Sequence, residues 1–173
     1  IYEMSKRLSK ELSYLLLYSD NNFIEHIPST LAIHYRDKYK TLNKLGVNII
    51  NNIERHNNTI KCDMYIRSRL FSFTFNCLGY PFKNPTVTVN NKPYSLCVKY
   101  KYLKFFGITN LCTCSSSILC RNNWRPTLLL IDILIEFVDN FTKYTLRLEN
   151  KYQCNLLICY SKLGFYLPIC KYL

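Results

Sequence analysis

FSFTFNCLGYPFKNPTVTV, residues 71–89, is the stretch that decides the fold. Its first part alternates Phe71, Phe73 and Phe75 with polar residues, which is the two-residue period of a half-buried strand. Gly79 to Pro85 then forms a break with one glycine and two prolines, and proline keeps a backbone extended or turned rather than helical. Residues 87–89 resume the apolar alternation. The stretch therefore predicts two strands of an antiparallel meander joined by a proline-marked turn.

The residues before this stretch predict a further strand and a first helix. Ile60, Cys62, Met64 and Ile66 alternate with polar or charged residues, which predicts a half-buried strand. Glu3 to Tyr18 has the 3.6-residue period of an amphipathic helix. Its apolar face is formed by Leu8, Leu12, Leu15 and Leu16, whereas Lys6, Arg7, Lys10 and Glu11 fall elsewhere. Phe23 to Asn52 has no clean period and is open to a short helix or an early strand.

The residues after Pro126 predict two helices. The first runs to Thr142 and is mostly buried, because polar residues recur at four- and seven-residue steps on an apolar cylinder. Those polar residues are Asp132, Glu136 and Lys143. Arg147 to Leu163 predicts the second helix, ended by Gly164 and Pro168. The order of elements predicts an α+β fold with helices against one sheet face, in a single domain over residues 1–173.

The composition limits the class of protein. With 173 residues, 49% of them hydrophobic, the chain can bury one core and is not a disordered chain. The net charge of +12 favours an acidic partner. Nine cysteines, an odd number, with no signal peptide at the start predict a reducing compartment, the cytoplasm or nucleus. The most apolar run, Thr127 to Val138, is shorter than the about 20 residues that cross a bilayer, so we expect no membrane segment.

Three stretches, in this order, resemble the ubiquitin-conjugating enzyme family. RLSKEL at residues 7–12 is similar to the R-L-x-K-E-L of the family's first helix. YPFKNPTV at residues 80–87 is similar to the family's Y-P-F-K-P-P-x-V, with Asn84 in place of one proline. SIL at residues 117–119 and WRP at residues 124–126 resemble the family's C-x-x-I-L and W-S-P. The resemblance covers most of the chain and implies the ubiquitin-conjugating (UBC-like) fold, with the helix from Thr127 as the family's long second helix.

The chain departs from the family at the active site. The family's catalytic cysteine usually lies eight residues before the tryptophan, and that position holds Ser116 here. Cys112 and Cys114 lie four and two residues further upstream, so a small loop insertion restores a thiol. Cys112 is the first candidate, because Leu111 matches the hydrophobic residue that precedes the family's catalytic cysteine. Cys114 is the second candidate.

The family's His-Pro-Asn motif is missing between Lys92 and Gly107. The candidates for the amide that stabilises the developing oxyanion are therefore Asn110 and Asn123. His26, His34 and His56 all lie far from this region in the sequence, and we expect them to be solvent-exposed or packing residues.

The resemblance implies a transferase that uses a cysteine nucleophile and needs neither a metal nor another cofactor. The cysteine accepts ubiquitin or a ubiquitin-like modifier from an activating enzyme as a thioester, and the modifier then passes to a lysine amine with a ligase. Phe82, Arg125 and Pro126 match the family's ligase-contacting positions. Lys6 and Lys10 match positions of the first helix that meet the activating enzyme.

Three other interpretations are open. Ser116 favours a catalytically inactive relative that acts as a binding module. Cys112, Cys114 and Cys120 are candidate zinc ligands, since thiolates bind zinc well, although their spacing is not a familiar zinc pattern. Lys92 to Lys104 interleaves lysine with tyrosine, as nucleic-acid surfaces do, but an ordinary strand with one polar face has the same pattern. We favour a protein partner over nucleic acid. Five other cysteines are expected in the core: Cys62, Cys77, Cys154, Cys159 and Cys170.

Overall fold

The computed structural model describes residues 2–19, 30–47, 50–94 and 117–164. Helices α1 (Tyr2–Ser19) and α2 (Thr30–Lys44) are followed by strands β1 (Ile50–His56), β2 (Thr59–Ile66), β3 (Arg69–Asn76), β4 (Thr86–Val89) and β5 (Lys92–Pro93), and then by helix α3 (Leu130–Lys162). The predicted first helix and the predicted strands at residues 60–66, 71–75 and 87–89 are confirmed. So is the α+β class.

The five strands form one antiparallel sheet in the order β1-β2-β3-β4-β5. Two of its hairpins close with two-residue turns in which both residues have positive φ. These are Arg67 (47°) with Ser68 (63°), and Asn90 (48°) with Asn91 (61°). Such turns match the right-handed twist of the strands they join, and this is why the chain reverses so tightly into a meander.

The core lies between the inward face of the sheet and the first part of α3. Phe73 and Phe75 of β3 are fully buried, and so are Leu130 and Leu134 of α3. The Phe137 ring stands perpendicular to the Phe73 ring, with their centroids 5.0 Å apart. Each such side chain contributes about 1.5–3 kcal/mol on burial, and the contact between the Phe137 and Phe73 rings joins the start of the helix to the sheet.

Helix α2 lies in the stretch for which the sequence left helix and strand open. Among its residues with a described side chain, Tyr35, Tyr39 and Leu42 are buried, at steps of four and three. Those steps are helical, but two of the three residues are tyrosines, which count as apolar or polar depending on their surroundings. The Tyr39 hydroxyl donates to the Tyr14 carbonyl oxygen of α1 at 2.7 Å, which joins the two helices.

The prediction of two C-terminal helices is wrong, because one helix of 33 residues, α3, covers both segments. The sequence has neither glycine nor proline between residues 127 and 163, so nothing in it breaks the helix. The predicted end is confirmed at Gly164, whose φ of +81° is a left-handed conformation that glycine adopts at low cost.

The chain divides into two compact units, Ile1–Val138 and Asp139–Leu173. The first contains the sheet, α1, α2 and the buried start of α3; the described part of the second is the remainder of α3. The single domain over residues 1–173 stays a prediction. Among the described residues, no helix is both long enough and apolar enough to cross a membrane.

The predictions of buried cysteines are confirmed in the first unit and wrong in the described part of the second. Cys62 and Cys77 are buried, as predicted. Cys154 and Cys159 are exposed, so their prediction as core residues is wrong: no residue of α3 after Val138 is buried. Cys170 lies outside the described residues. Cys120 is half-buried, and all five described cysteines are free.

Candidate functional site

The proline-marked turn between β3 and β4 builds the candidate site. Gly79 has φ of +84°, and its carbonyl oxygen accepts a hydrogen bond from the Lys83 backbone N–H at 2.9 Å. This backbone conformation favours glycine, and a Cβ at Gly79 would also lie 3.0 Å from Lys83 Cδ, so the lysine side chain would have to move. Pro81 and Pro85 are buried, and the Tyr80–Pro81 peptide is cis. The turn thus holds Phe82 outward, 72% exposed.

Tyr80 points the other way, into a buried polar network centred on Glu11 of α1. The Tyr80 hydroxyl donates to Glu11 Oε1, and Arg7 Nε donates to the same oxygen at 3.0 Å. Glu11 Oε2 accepts the Leu130 backbone N–H at 2.9 Å. Arg7 also donates to the Leu128 carbonyl oxygen at 3.1 Å. One carboxylate therefore joins α1, the proline-marked turn and the start of α3.

Glu11 is the clearest departure from the sequence prediction, which placed it away from the apolar face of α1. It is 1% exposed, whereas Leu16, predicted on that face, is 41% exposed. Glu11 lies three residues after Leu8 and four before Leu15, both of which are buried. This helical spacing could have identified it from the sequence. Burial raises the pKa of Glu11, and its hydrogen bonds lower the pKa by less.

Trp124 connects the two motif-bearing stretches. Its indole Nε1–H donates to the Pro81 carbonyl oxygen at 2.7 Å, and its ring lies 5.9 Å from the Tyr80 ring, centroid to centroid. Its backbone N–H donates to the Cys120 carbonyl oxygen at 2.9 Å, within the turn that follows Ser117. The tryptophan of WRP and the proline of YPFKNP are thus in direct contact.

Two side chains bind the backbone of residues 118–119, just after the predicted nucleophile region. The sequence did not indicate either of them as a site residue. Asn84, the residue in place of the family's proline, donates its Nδ2–H to the Leu119 carbonyl oxygen at 2.7 Å. Glu136 of α3 accepts the Ile118 backbone N–H on Oε2 at 3.1 Å. Burial raises the pKa of Glu136, and hydrogen bonds from Ser117 and its neighbours only partly offset this. No spacing in the sequence indicated either contact, because both join distant segments.

An open groove lies on the outer side of the turn. It is lined by Leu78, Phe82, Lys83, Asn84, Arg121 and Trp124, among others. Leu78 and Phe82 are 71% and 72% exposed, so two large apolar side chains face solvent beside two basic ones. Large apolar side chains exposed side by side are typical of a protein-binding surface.

The remaining predicted site residues have mixed positions. Arg125 and Pro126 are exposed and directly follow Trp124 of the groove; Lys6 and Lys10 are exposed on α1. Asn123 donates its Nδ2–H to the Ser117 carbonyl oxygen at 3.0 Å, so at least one amide hydrogen is used within the turn. Cys112, Cys114 and Asn110 lie outside the described residues.

The predictions for the alternative sites are tested only where their residues are described. Within residues 2–19, 30–47, 50–94 and 117–164, no group of three His, Cys, Asp or Glu side chains is placed to hold a metal ion. The zinc hypothesis depends on Cys112 and Cys114, which lie outside those ranges. The part of the Lys92 to Lys104 surface that follows Tyr94 also lies outside them. His56 is exposed, as expected; His26 and the side chain of His34 lie outside the described part.

No protein-family model matches the chain, and comparisons with curated proteins and with solved structures find no match either.

Proposed function

We propose that this chain is a divergent UBC-like domain that forms a cysteine thioester with ubiquitin or a ubiquitin-like protein and passes it to a lysine amine. The observation that carries the proposal is the hydrogen bond from Trp124 Nε1 to the Pro81 carbonyl oxygen. It brings together two stretches that resemble the family separately in sequence, on an α+β scaffold with an antiparallel meander. A chance similarity of short motifs gives no reason for them to meet in space.

The proposed chemistry needs one thiol, from Cys112 or, as the second candidate, Cys114. Its thiolate attacks the thioester carbonyl of the loaded activating enzyme, and the activating enzyme's cysteine leaves as a thiol. A lysine amine then attacks the new thioester, an amide bond forms, and the thiol of this chain is regenerated. Asn110 or Asn123 is the proposed donor to the oxyanion of that second step. The reaction needs a free thiol, which suits a reducing compartment such as the cytoplasm or nucleus.

The open groove is the proposed contact for a ligase, with Phe82 as its apolar centre and Arg125 and Pro126 beside Trp124. Phe82 is 72% exposed although it lies between two buried prolines, so the turn keeps it available for a partner. Lys6 and Lys10, exposed on α1, are the proposed contacts with the activating enzyme.

A thioester assay tests the proposal. The full chain is incubated with activating enzyme, ATP and ubiquitin, and then run on gels with and without reductant. We expect an adduct that reductant removes, formed by the wild type and by Cys154→Ala, whose cysteine is exposed on α3. Loss of the adduct in Cys112→Ala identifies that nucleophile, and loss only in Cys114→Ala identifies the other. An adduct that survives both substitutions contradicts the site assignment.

A second candidate function, a catalytically inactive binding module, is favoured by one observation: the position eight residues before Trp124 holds Ser116. On this alternative the same groove binds a ligase or an active conjugating enzyme without any covalent step. The absence of an adduct with ubiquitin and with every ubiquitin-like modifier tried, together with Phe82-dependent binding of such a partner, would favour it.

A further inference from the structure

Residues 117–120 form a short turn, the 117–120 turn, which is held partly by its own hydrogen bonds. The Ser117 carbonyl oxygen accepts the Cys120 backbone N–H at 3.1 Å. The Leu119 backbone N–H donates to Ser117 Oγ at 3.3 Å. Two further backbone groups, the Ile118 N–H and the Leu119 carbonyl oxygen, bind side chains from other parts of the chain instead.

The two side chains that bind these groups come from different elements. Glu136 of α3 accepts the Ile118 N–H on Oε2 at 3.1 Å. Asn84 of the proline-marked turn donates to the Leu119 carbonyl oxygen at 2.7 Å. We term Asn84 and Glu136 the clamp. Because its two members lie before and after the 117–120 turn in the sequence, the clamp attaches two successive residues to two separate supports.

Stability alone does not explain Glu136. Burial raises its pKa more than its hydrogen bonds lower it, so the ionised carboxyl is less favourable in this place than in water. Among the described residues, none donates to its second oxygen, Oε1, although that atom is buried. A buried acceptor without a partner costs about 1–3 kcal/mol. A carboxyl in such surroundings is typical of a functional region rather than of a packed core.

Asn84 supplies a contact that the residue at the matching family position cannot supply. The family that the chain resembles has proline there, and proline has neither an N–H nor a side-chain amide to donate. In this chain the amide joins the proline-marked turn to the backbone that follows the predicted nucleophile region. The departure from the family motif thus adds a hydrogen bond where the 117–120 turn needs a donor.

We propose that Asn84 and Glu136 are positioning residues for the thioester reaction, an inference that rests on the proposed function. The 117–120 turn begins three residues after Cys114 and five after Cys112. Even fully extended, three residues span only about 10 Å. A turn held at two successive residues therefore limits where a thiol so close in the chain can lie, and accurate placement of the reacting groups is a large part of catalysis.

Two exchanges between acid and amide, each nearly isosteric, test the clamp in opposite directions. Glu136→Gln keeps an acceptor oxygen for the Ile118 N–H, whereas Asn84→Asp removes the donor to the Leu119 carbonyl oxygen. The full chain is loaded with ubiquitin by activating enzyme and ATP, the ATP is removed, and free lysine is added. Decay of the reductant-sensitive adduct on gels then gives a rate constant per loaded molecule. A variant that is merely less stable yields less adduct but leaves this rate constant unchanged.

We expect Asn84→Asp, Asn84→Ala and Glu136→Ala to slow the decay of the adduct by roughly tenfold or more. Glu136→Gln should decay at close to the wild-type rate. So should the control Asp139→Ala, which removes another carboxylate of α3, one that pairs with Lys143. Hydrogen exchange of the Ile118 amide checks the bond itself: it should be faster in Glu136→Ala than in the wild type or Glu136→Gln.

The possible outcomes separate this inference from the proposed function. A wild type that forms no adduct, or an adduct that lysine does not discharge, overturns both. A wild type that loads and discharges, with Asn84→Asp and Glu136→Ala equally fast, overturns the clamp alone. Glu136→Gln as slow as Glu136→Ala, or an Ile118 amide that exchanges equally fast in all variants, also overturns it, because the hydrogen bond would then not be the cause. Should Glu136→Ala not fold, the rate of Asn84→Asp decides.

Discussion

Tyr80 and Phe82 are two residues apart in the same turn, yet they serve opposite regions of the molecule. Tyr80 is 1% exposed and is held by Glu11 in a network that joins three elements, whereas Phe82 is 72% exposed and lines an open groove. In the closed region, around Glu11 and Tyr80, each oxygen of the carboxylate has a hydrogen-bond partner. The open region, the groove around Phe82, presents apolar surface to solvent. Two residues of one short motif thus have different surroundings: Tyr80 belongs to the buried network that stabilises the fold, and Phe82 is exposed at the surface.

The largest effect should come from removing the centre of the closed region. Glu11→Ala leaves the Tyr80 hydroxyl, the Leu130 N–H and Arg7 without their shared acceptor in a buried site. We expect the free energy of unfolding to fall by about 3 kcal/mol, as when one partner of a buried ion pair is removed. Urea denaturation followed by circular dichroism measures the change.

The control for this substitution lies one residue away in the same helix. Lys10→Ala, at an exposed position, should change the free energy of unfolding by less than about 0.5 kcal/mol. Glu11→Gln keeps an acceptor oxygen and should fall between the two. If Glu11→Ala costs no more than Lys10→Ala, the network does not hold the three elements together.

The pH dependence of stability separates the two regions in a second way. Burial raises the pKa of Glu11 in the folded chain above its ordinary value of 4.5. Between the ordinary pKa and the raised pKa of the folded chain, Glu11 is protonated more often in the folded chain than in the unfolded one. The free energy of unfolding therefore falls as pH rises through this window, and it levels off above the raised pKa. Burial raises the pKa of Glu136 with the same sign.

Glu11→Gln tests this because glutamine mimics the protonated carboxyl and does not titrate. The difference in unfolding free energy between wild type and Glu11→Gln should shift in favour of the variant as pH rises from 4.5. Phe82→Ala, which adds or removes no titrating group, should run parallel to the wild type at every pH. A wild type that gains stability over Glu11→Gln with rising pH would show that the hydrogen bonds from Arg7, Tyr80 and Leu130 outweigh burial.

The fold could be predicted from the sequence wherever one period dominated. The alternating residues of β3 need no tertiary information, because the two-residue period separates the side chains of its two faces. The leucines of α1 predict the helix but not its buried face, since Leu16 is exposed and Glu11 is buried. The sequence does not decide between helix and strand for α2, since the apolar face of α2 depends on Tyr35 and Tyr39, and tyrosine is common both in cores and at surfaces. The supposed break near residue 145 had no glycine or proline behind it, and α3 runs through it.

The site could be predicted only in its local parts. The motif residues Phe82, Arg125 and Pro126 were identified by resemblance and are exposed as a contact surface requires. The contacts of Asn84 with Leu119 and of Glu136 with Ile118 cross 35 and 18 residues, and no sequence period relates such positions. The sequence pattern misplaces Glu11 because charged residues are ordinarily exposed, although a carboxylate with several hydrogen-bond donors can be buried.

The smallest expected effect is also the sharpest contrast, because it compares neighbours in one turn. Tyr80→Phe removes a single buried oxygen and leaves Glu11 with one donor fewer, which should lower the free energy of unfolding by about 1–2 kcal/mol. Phe82→Ala removes an entire ring, yet that ring is already 72% exposed, so the change should stay within about 0.5 kcal/mol. Both are measured by urea denaturation at the same pH.

The order of the two effects reverses when binding of a partner is measured instead of stability: Phe82→Ala should weaken binding at the groove while Tyr80→Phe leaves it unchanged. A Phe82→Ala chain that unfolds more easily than Tyr80→Phe would mean that the exposed ring is part of the fold and not a surface kept for a partner.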